Sequence, residues 1–74
     1  MNLREAQTQI SILIGKRADA INVLHRLEKV EDRYNPKIIA EITGYKQAIE
    51  ELSKEIYRLE VERGALLEAE EAAR

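Results

Sequence analysis

The stretch Asp32-Arg33-Tyr34-Asn35-Pro36-Lys37 is the strongest local signal of structure in the chain. Proline fixes φ and lacks an N–H group, so it suits the first position of a helix and keeps the preceding residue out of the α region. Asn35 can then cap the amide groups that follow. The stretch predicts a turn at residues 32–35, between a first helix that ends at residue 31 and a second helix that begins at residue 36. Because the connection is short, we expect antiparallel neighbouring helices.

The segment after the turn carries a heptad pattern. Its apolar residues recur at alternating intervals of four and three residues: Ile38, Ile42, Tyr45, Ile49, Leu52, Ile56 and Leu59. This a/d spacing places the side chains on one stripe that faces a partner helix. We call this stripe, together with its counterpart in the first helix, the seam. It continues through Arg63 and Leu66, so we predict a helix at 36–70 and a frayed tail at 71–74.

The segment before the turn repeats the pattern less cleanly. Asn2, with Glu5 three residues later, has the spacing of a capping box and predicts a helix over 3–31. The seam of this helix has eight members, and two isoleucines widen it: Leu3, Ala6, Ile10, Leu13, Arg17, Ala20, Leu24 and Leu27, with Ile14 and Ile21 beside them.

A single register brings the two halves of the seam together. When the chain folds back at the turn, Leu3 faces Leu66 at the open end. In every other facing pair, the two residue numbers add up to the same total as in this pair. We therefore predict an all-α antiparallel helical hairpin of coiled-coil type that forms one domain over residues 1–74.

The first helix also has apolar residues on its outer side. In the run from Ile10 to Arg17, which reads ISILIGKR, Ile12 points roughly opposite the seam, and so do Val23 and Val30. A hairpin buries only one stripe of each helix, so a second row needs another partner, and the commonest partner is another copy of the chain. We predict a homo-oligomeric helix bundle, a dimer or larger, with Ile12, Val23 and Val30 at the interface.

Composition limits the other functions. The chain has 74 residues, 35% of them charged, a formal net charge of −2 and no cysteine. The balanced charge disfavours nucleic-acid binding, and the lack of cysteine excludes disulfides and thiolate metal sites. No apolar run is long enough for a membrane span, and the start lacks the apolar segment of a signal peptide. We therefore expect a cytoplasmic protein that does not enter a membrane.

Catalytic and metal-binding motifs are missing. His25 is the only histidine, and we interpret it as a residue at the edge of the seam rather than as a base or ligand. The acidic residues at 50, 51, 55, 60 and 62 fall mostly on solvent-facing positions. We predict no enzyme activity, no cofactor and no metal, and we expect a protein-interaction module that acts as an adaptor or inhibitor.

Two features leave an alternative open. Arg17 and Arg63 occupy seam positions, where they either pair with neighbouring glutamates and set the register, or converge from several subunits on an anion. The run Thr43-Gly44-Tyr45-Lys46 joins a hydroxyl group, an aromatic ring and a cation within one turn of helix, as in a site for a stacked base with a phosphate. A slightly kinked seam would use the same residues.

The second half resembles a known family. The segment Asp32-Arg33-Tyr34, with Ile39-Ala40, Gly44-Tyr45 and Ala48-Ile49 after it, resembles the second half of phage anti-CBASS sponge proteins, small helical viral proteins that sequester cyclic oligonucleotide signals between subunits. The resemblance implies a cyclic dinucleotide as ligand, with Tyr45 stacking on a base, Lys46 contacting a phosphate and Arg17 as a further cation.

Other helical hairpins are similar in form. They include the chaperones of type III secretion needles and a small plasmid copy-number regulator that binds RNA as a paired hairpin dimer. RNA binding is the least favoured alternative, because acidic residues interleave with the basic residues near the turn.

Overall fold

A computed structural model describes residues 1–73. It contains two helices, α1 (Leu3–Lys29) and α2 (Pro36–Ala72), and no strand within that part of the chain. The helices pack along their length into a rod whose extents are 59 × 14 × 14 Å. The prediction of an all-α hairpin of two helices that pack against each other is confirmed.

Both predicted caps are present. The Asn2 side chain accepts a hydrogen bond from the backbone N–H of Glu5 at 2.8 Å, and its Nδ2 donates to Glu5 Oε1 at 3.2 Å. At the second helix, Asn35 Oδ1 accepts from the backbone N–H of Lys37 at 2.9 Å, and Asn35 Nδ2 donates to Asp32 Oδ2 at 3.0 Å. These bonds satisfy amide groups that have no partner within the first turn of a helix.

The first helix ends two residues earlier than the sequence predicts. Val30 is extended, with φ −71° and ψ 148°, and the chain turns over residues 31–34. The last turn of α1 contains Lys29 and a second basic residue, which suit the negative end of the helix dipole. Glu31 and Asp32 would be unfavourable at that end, which explains the earlier stop.

The second helix runs two residues beyond the predicted end. Residues 71 and 72 are helical, so the fraying predicted there is not observed, and the N–H of Ala73 donates to the carbonyls of Ala69 and Glu70 at 3.1 and 3.3 Å. Alanine and glutamate are strong helix formers, and they extend the helix without needing a core. The last predicted tail residue, Arg74, lies outside the described residues.

The predicted seam is the core of the hairpin. Its fully buried members are Ala6, Ile10, Ile56 and Leu59, and its other members are half-buried. Leu3 and Leu66 line one cleft at the open end, as the register requires. Ile14, which was predicted to widen the seam, is instead 42% exposed, because the facing helix reaches only the central stripe.

The rod exposes more surface than a compact protein of its mass. Its accessible surface is 5715 Å². A compact globular monomer of 8.5 kDa would expose about 4,700 Å². Two helices have no third layer to cover their sides, so much of the apolar surface stays in contact with solvent.

Candidate functional site

The two sides of the seam differ in chemistry. One side consists of the residues that immediately follow every second seam position, and we call it the isoleucine flank. Its members are Gln7, Ile14, Ile21 and Glu28 of α1 and Ile39, Lys46, Ser53, Glu60 and Leu67 of α2. The two helices contribute to the same side, because Glu28, Ile39 and Lys46 line one surface depression near the turn.

The isoleucine flank exposes large apolar side chains. Ile14 is 42% exposed, Ile39 is 47% exposed and Leu67 is 39% exposed, whereas Ile21 is half-buried. They are spread from one end of the rod to the other rather than gathered at one point. Charged and polar members of the flank lie between them, so the apolar side chains form an interrupted row rather than a continuous patch.

The opposite side is acidic, and we call it the glutamate flank. Its members immediately precede seam positions or continue that spacing: Gln9, Lys16 and Val23 of α1 and Glu41, Ala48, Glu55, Glu62 and Ala69 of α2. Arg58 forms ion pairs with two of its glutamates, with Glu55 and, at 3.6 Å, with Glu62. The hydrogen bond from Arg58 lowers the pKa of the Glu55 carboxyl below its ordinary value of 4.5.

The residues of the predicted oligomer interface differ in exposure. Ile12 is 49% exposed on the outer side of α1, as expected, and Val23 is half-buried. Val30 is 38% exposed, but it lies beyond the end of α1, so helical periodicity no longer sets its direction. We call Ile12, Val23 and Val30 the outer row.

The structure separates the predicted ligand-binding residues. Arg17 is half-buried, and its Nη1 donates to Ser53 Oγ at 3.2 Å. No ion pair joins it to the expected glutamates within residues 1–73. Lys46 lies seven residues from Ser53, about 10 Å of helix rise. Tyr45 is a half-buried seam residue, and Thr43 is exposed. Within one hairpin these four residues do not converge on a common site.

Lys46 instead has neighbours that the sequence did not indicate. The surface depression near the turn is lined by Glu28, Arg33, Tyr34, Ile39, Ile42 and Lys46. The Arg33 guanidinium lies 5.0 Å from the centroid of the Tyr34 ring, in cation–π contact. The ring is 77% exposed. Arg33 and Tyr34 are adjacent in the turn, and this adjacency is the feature of the sequence that could have indicated their contact.

The glycines do not mark close contacts. A methyl group added at Gly15 or Gly44 would meet no other atom within 4 Å. Neither glycine therefore marks a close approach of the two helices within the hairpin.

Metal-binding clusters and membrane-spanning helices are both missing from residues 1–73. The described part of the chain contains no group of three or more His, Cys, Asp or Glu side chains placed to hold a metal ion. His25 lies exposed on α1. Neither helix has the length and apolar character that a membrane span requires, as far as residues 1–73 show.

Comparisons with known proteins return no relative. No protein-family model matches the chain, and neither a curated protein nor a solved structure is significantly similar to it. The fold and surfaces define the chain as a two-helix antiparallel hairpin of coiled-coil type, and the resemblance to sponge proteins stays a prediction.

Proposed function

We propose that the chain is a non-enzymatic helical hairpin that assembles with copies of itself and acts as a protein-interaction module, an adaptor or an inhibitor. The observation that carries the proposal is the distribution of apolar side chains. Four apolar residues are fully buried, while large apolar residues on both helices remain well exposed. The exposed apolar residues lie on the isoleucine flank, on the outer row and in a further pair on α2.

That further pair was not among the predicted sites. Tyr57 is 69% exposed and Val61 is 57% exposed, and they are four residues apart on the same outward side of α2. Residues at this spacing are neighbours on a helix surface, and tyrosine is enriched at protein interfaces. The i,i+4 spacing outside the heptad positions was the sequence signal for them.

Energetics support association. Full burial of one large aliphatic side chain contributes about 1.5–3 kcal/mol, and the hairpin leaves several such side chains half open to water. Covering them on a second molecule recovers stabilisation that two helices cannot provide alone. A chain of this size can bury only a small core.

Sedimentation velocity of the purified chain over a range of concentrations tests the proposal. We expect the wild-type protein to sediment as a dimer or larger species. If the outer row is the interface, as the sequence predicts, the double variant Ile12→Glu, Val23→Glu should sediment as a smaller species and keep the helical circular dichroism of the hairpin. An unchanged species would place the interface on another surface. A wild-type chain that is monomeric at every concentration, and that enriches no protein from a cell extract, would refute the proposal.

A cyclic-nucleotide sponge is the second candidate, and one observation favours it. Two cations and an exposed aromatic ring, Lys46, Arg33 and Tyr34, line the same depression. Phosphates and bases would use groups of these kinds. Because Arg17 is distant from Lys46 in one hairpin, a site that contained both would have to form between subunits.

Calorimetry distinguishes this candidate. Cyclic dinucleotides are titrated into the wild-type protein and into Lys46→Ala. Binding that is lost in the variant would support a sponge. If the wild-type protein gives no heat of binding, the function as a protein-interaction module is favoured. If it binds and Lys46→Ala has no effect, the site lies elsewhere.

A further inference from the structure

We propose that two copies of the hairpin pack through their isoleucine flanks, with the rods antiparallel and a twofold axis that passes beside Ser53. This inference rests on the proposed function, because it assigns the surface and the geometry of self-association. It differs from the interface predicted from the sequence, since it leaves the outer row free on the outside of the dimer.

The flank residues of α2 are symmetric about Ser53. Going outward from it, Lys46 and Glu60 lie seven residues away on either side, and Ile39 and Leu67 lie fourteen residues away. When a second copy of α2 runs in the opposite direction, Lys46 faces Glu60 of that copy and Ile39 faces its Leu67. Each cation thus meets an anion and each apolar residue meets an apolar residue, which is the self-complementarity that a twofold interface requires.

The flank residues of α1 have a second centre of symmetry. Ile14 and Ile21 lie equally far on either side of the bond between residues 17 and 18, and so do Gln7 and Glu28. In an antiparallel pair of α1 helices, Ile14 therefore faces Ile21 of the second copy, and Gln7 faces its Glu28. Two contacts between isoleucines form near the middle, and a neutral side chain meets each outer glutamate.

One axis satisfies both helices. The hydrogen bond between Arg17 and Ser53 places these residues at the same level of the rod. The two centres of symmetry therefore lie within about one and a half residues of each other, or about 2 Å of helix rise. In the resulting four-helix bundle every helix runs antiparallel to the neighbours that it contacts.

A parallel arrangement of the rods fits poorly. With the axis along the rod, α1 of one copy would face α2 of the other, and Lys46 would lie against Ile21 while Ser53 would lie against Ile14. Charged and polar groups would then cover apolar side chains without partners, which is unfavourable. The glutamate flank is unsuitable for a different reason, because its α2 helix carries Glu41, Glu55 and Glu62. An antiparallel pair of such helices would bring carboxylates together.

The available area suits a stable dimer. A face 59 Å long and 14 Å wide covers about 800 Å², which is close to the area that each partner contributes to an interface of standard size. Serine at the axis is small, so the two α2 helices can approach closely there. The one unfavourable feature is that the Arg17 side chains of both copies lie near the axis, where they repel each other.

Charge reversal tests the arrangement, with sedimentation equilibrium at low salt as the measurement. Lys46→Glu alone and Glu60→Lys alone each turn two attractive contacts into repulsive ones, and we expect each to weaken dimerisation about tenfold. The double variant Lys46→Glu, Glu60→Lys restores opposite charges between copies and should return the dissociation constant to within about twofold of the wild type. Lys16→Glu, which changes net charge equally on the glutamate flank, is the matched control and should have little effect.

A crosslink locates the axis independently of electrostatics. The chain has no cysteine, so Ser53→Cys introduces a single thiol beside the axis, and mild oxidation should join two copies by a disulfide. Ser11→Cys, on an exposed position of α1, is the control and should stay largely uncrosslinked.

The outcomes separate the two proposals. Rescue by the double charge variant together with the crosslink at position 53 would support the antiparallel dimer. An oligomeric wild type with no rescue and no crosslink would overturn the inference while leaving the proposed function intact. A monomeric wild type would overturn the inference and the self-assembly part of the proposed function.

Discussion

The two flanks of the hairpin share one seam but differ in what they leave exposed. The isoleucine flank carries Ile14, Ile21 and Ile39 beside three charged residues of both signs, whereas the charges of the glutamate flank are three glutamates, two of which are held by Arg58, and one lysine. Both sides are equally uncovered by the hairpin itself, so the difference lies in the side chains rather than in the backbone.

This difference indicates which of the residues beside the small core need a partner to be stabilised. On the acidic side the residues next to the seam stay in water and form ion pairs within their own helix, so no partner is needed. On the apolar side the same positions gain stabilisation only when another surface removes them from water. In the proposed dimer, association through one flank and hydration of the other would follow from residues that lie one position either side of the seam.

The largest expected effect comes from placing charge on the apolar side. The double variant Ile14→Glu, Ile21→Glu should weaken dimerisation more than about a hundredfold, since it removes the central isoleucine contacts and would bury carboxylates against each other. Analytical ultracentrifugation should find a monomer, with helical circular dichroism as the check on folding. Ile12→Glu, Val23→Glu is the matched control. If that control became monomeric while the flank variant stayed dimeric, the roles of the two surfaces would be reversed.

Arg17→Leu is expected to act in the opposite direction. It replaces a half-buried cation of the seam by an apolar residue and removes the repulsion at the axis, at the cost of one hydrogen bond to Ser53. We expect the free energy of unfolding to rise by about 1 kcal/mol and the dimer to tighten. Chemical denaturation at several protein concentrations measures both quantities.

Arg63→Leu provides the comparison for this variant, because Arg63 is a half-buried seam residue far from the axis. It should stabilise the hairpin without tightening the dimer. Weaker dimerisation in Arg17→Leu would instead favour an anion held between the arginines of two copies.

Gly44→Ala tests whether the side of α2 next to the glutamate flank is free of partners. An added methyl group meets nothing within 4 Å, and alanine is favoured over glycine within a helix by about 1 kcal/mol. We expect the melting temperature to rise by about 4–8 °C. A lower melting temperature would mean that another chain approaches Gly44 closely in the assembled protein.

The smallest effect concerns the ion pairs of the glutamate flank. Arg58→Ala should raise the pKa of Glu55 toward 4.5, since the hydrogen bond from Arg58 is the main cause of its low value. Because this pKa is lowered on folding, the stabilisation is present above the ordinary value and is lost as the pH falls through the lowered one. NMR titration of the Glu55 side chain measures the shift. Lys54→Ala, which breaks a neighbouring pair with Glu50, should leave the pKa of Glu55 unchanged.

The seam and the caps were predictable because their signals are local. Asn2 and Asn35 cap helices through side chains that reach backbone groups two or three residues away, and the heptad spacing needs only the geometry of one helix. The helix ends were each displaced by two residues, since helix dipoles and propensities act gradually there.

The candidate site depends on more than spacing along the chain. The sequence groups Arg17, Tyr45 and Lys46 in a site between subunits, and that grouping stays a prediction, since within one hairpin Arg17 bonds to Ser53 at a level distant from Lys46. Ile14 was assigned to the edge of the seam, yet it is 42% exposed. How far a side chain reaches around a helix pair depends on the packing of the facing helix.

The two helices, the turn between them and the register of the seam could be predicted from the sequence, because each of these depends on spacing along the chain and on one proline. Which side of each helix stays uncovered depends on the packed hairpin. The packing also gives Arg17 its partner, which is Ser53 rather than a glutamate. Relations between faces of different helices depend on distances across the hairpin, and the linear order of residues does not contain them until the chain is packed.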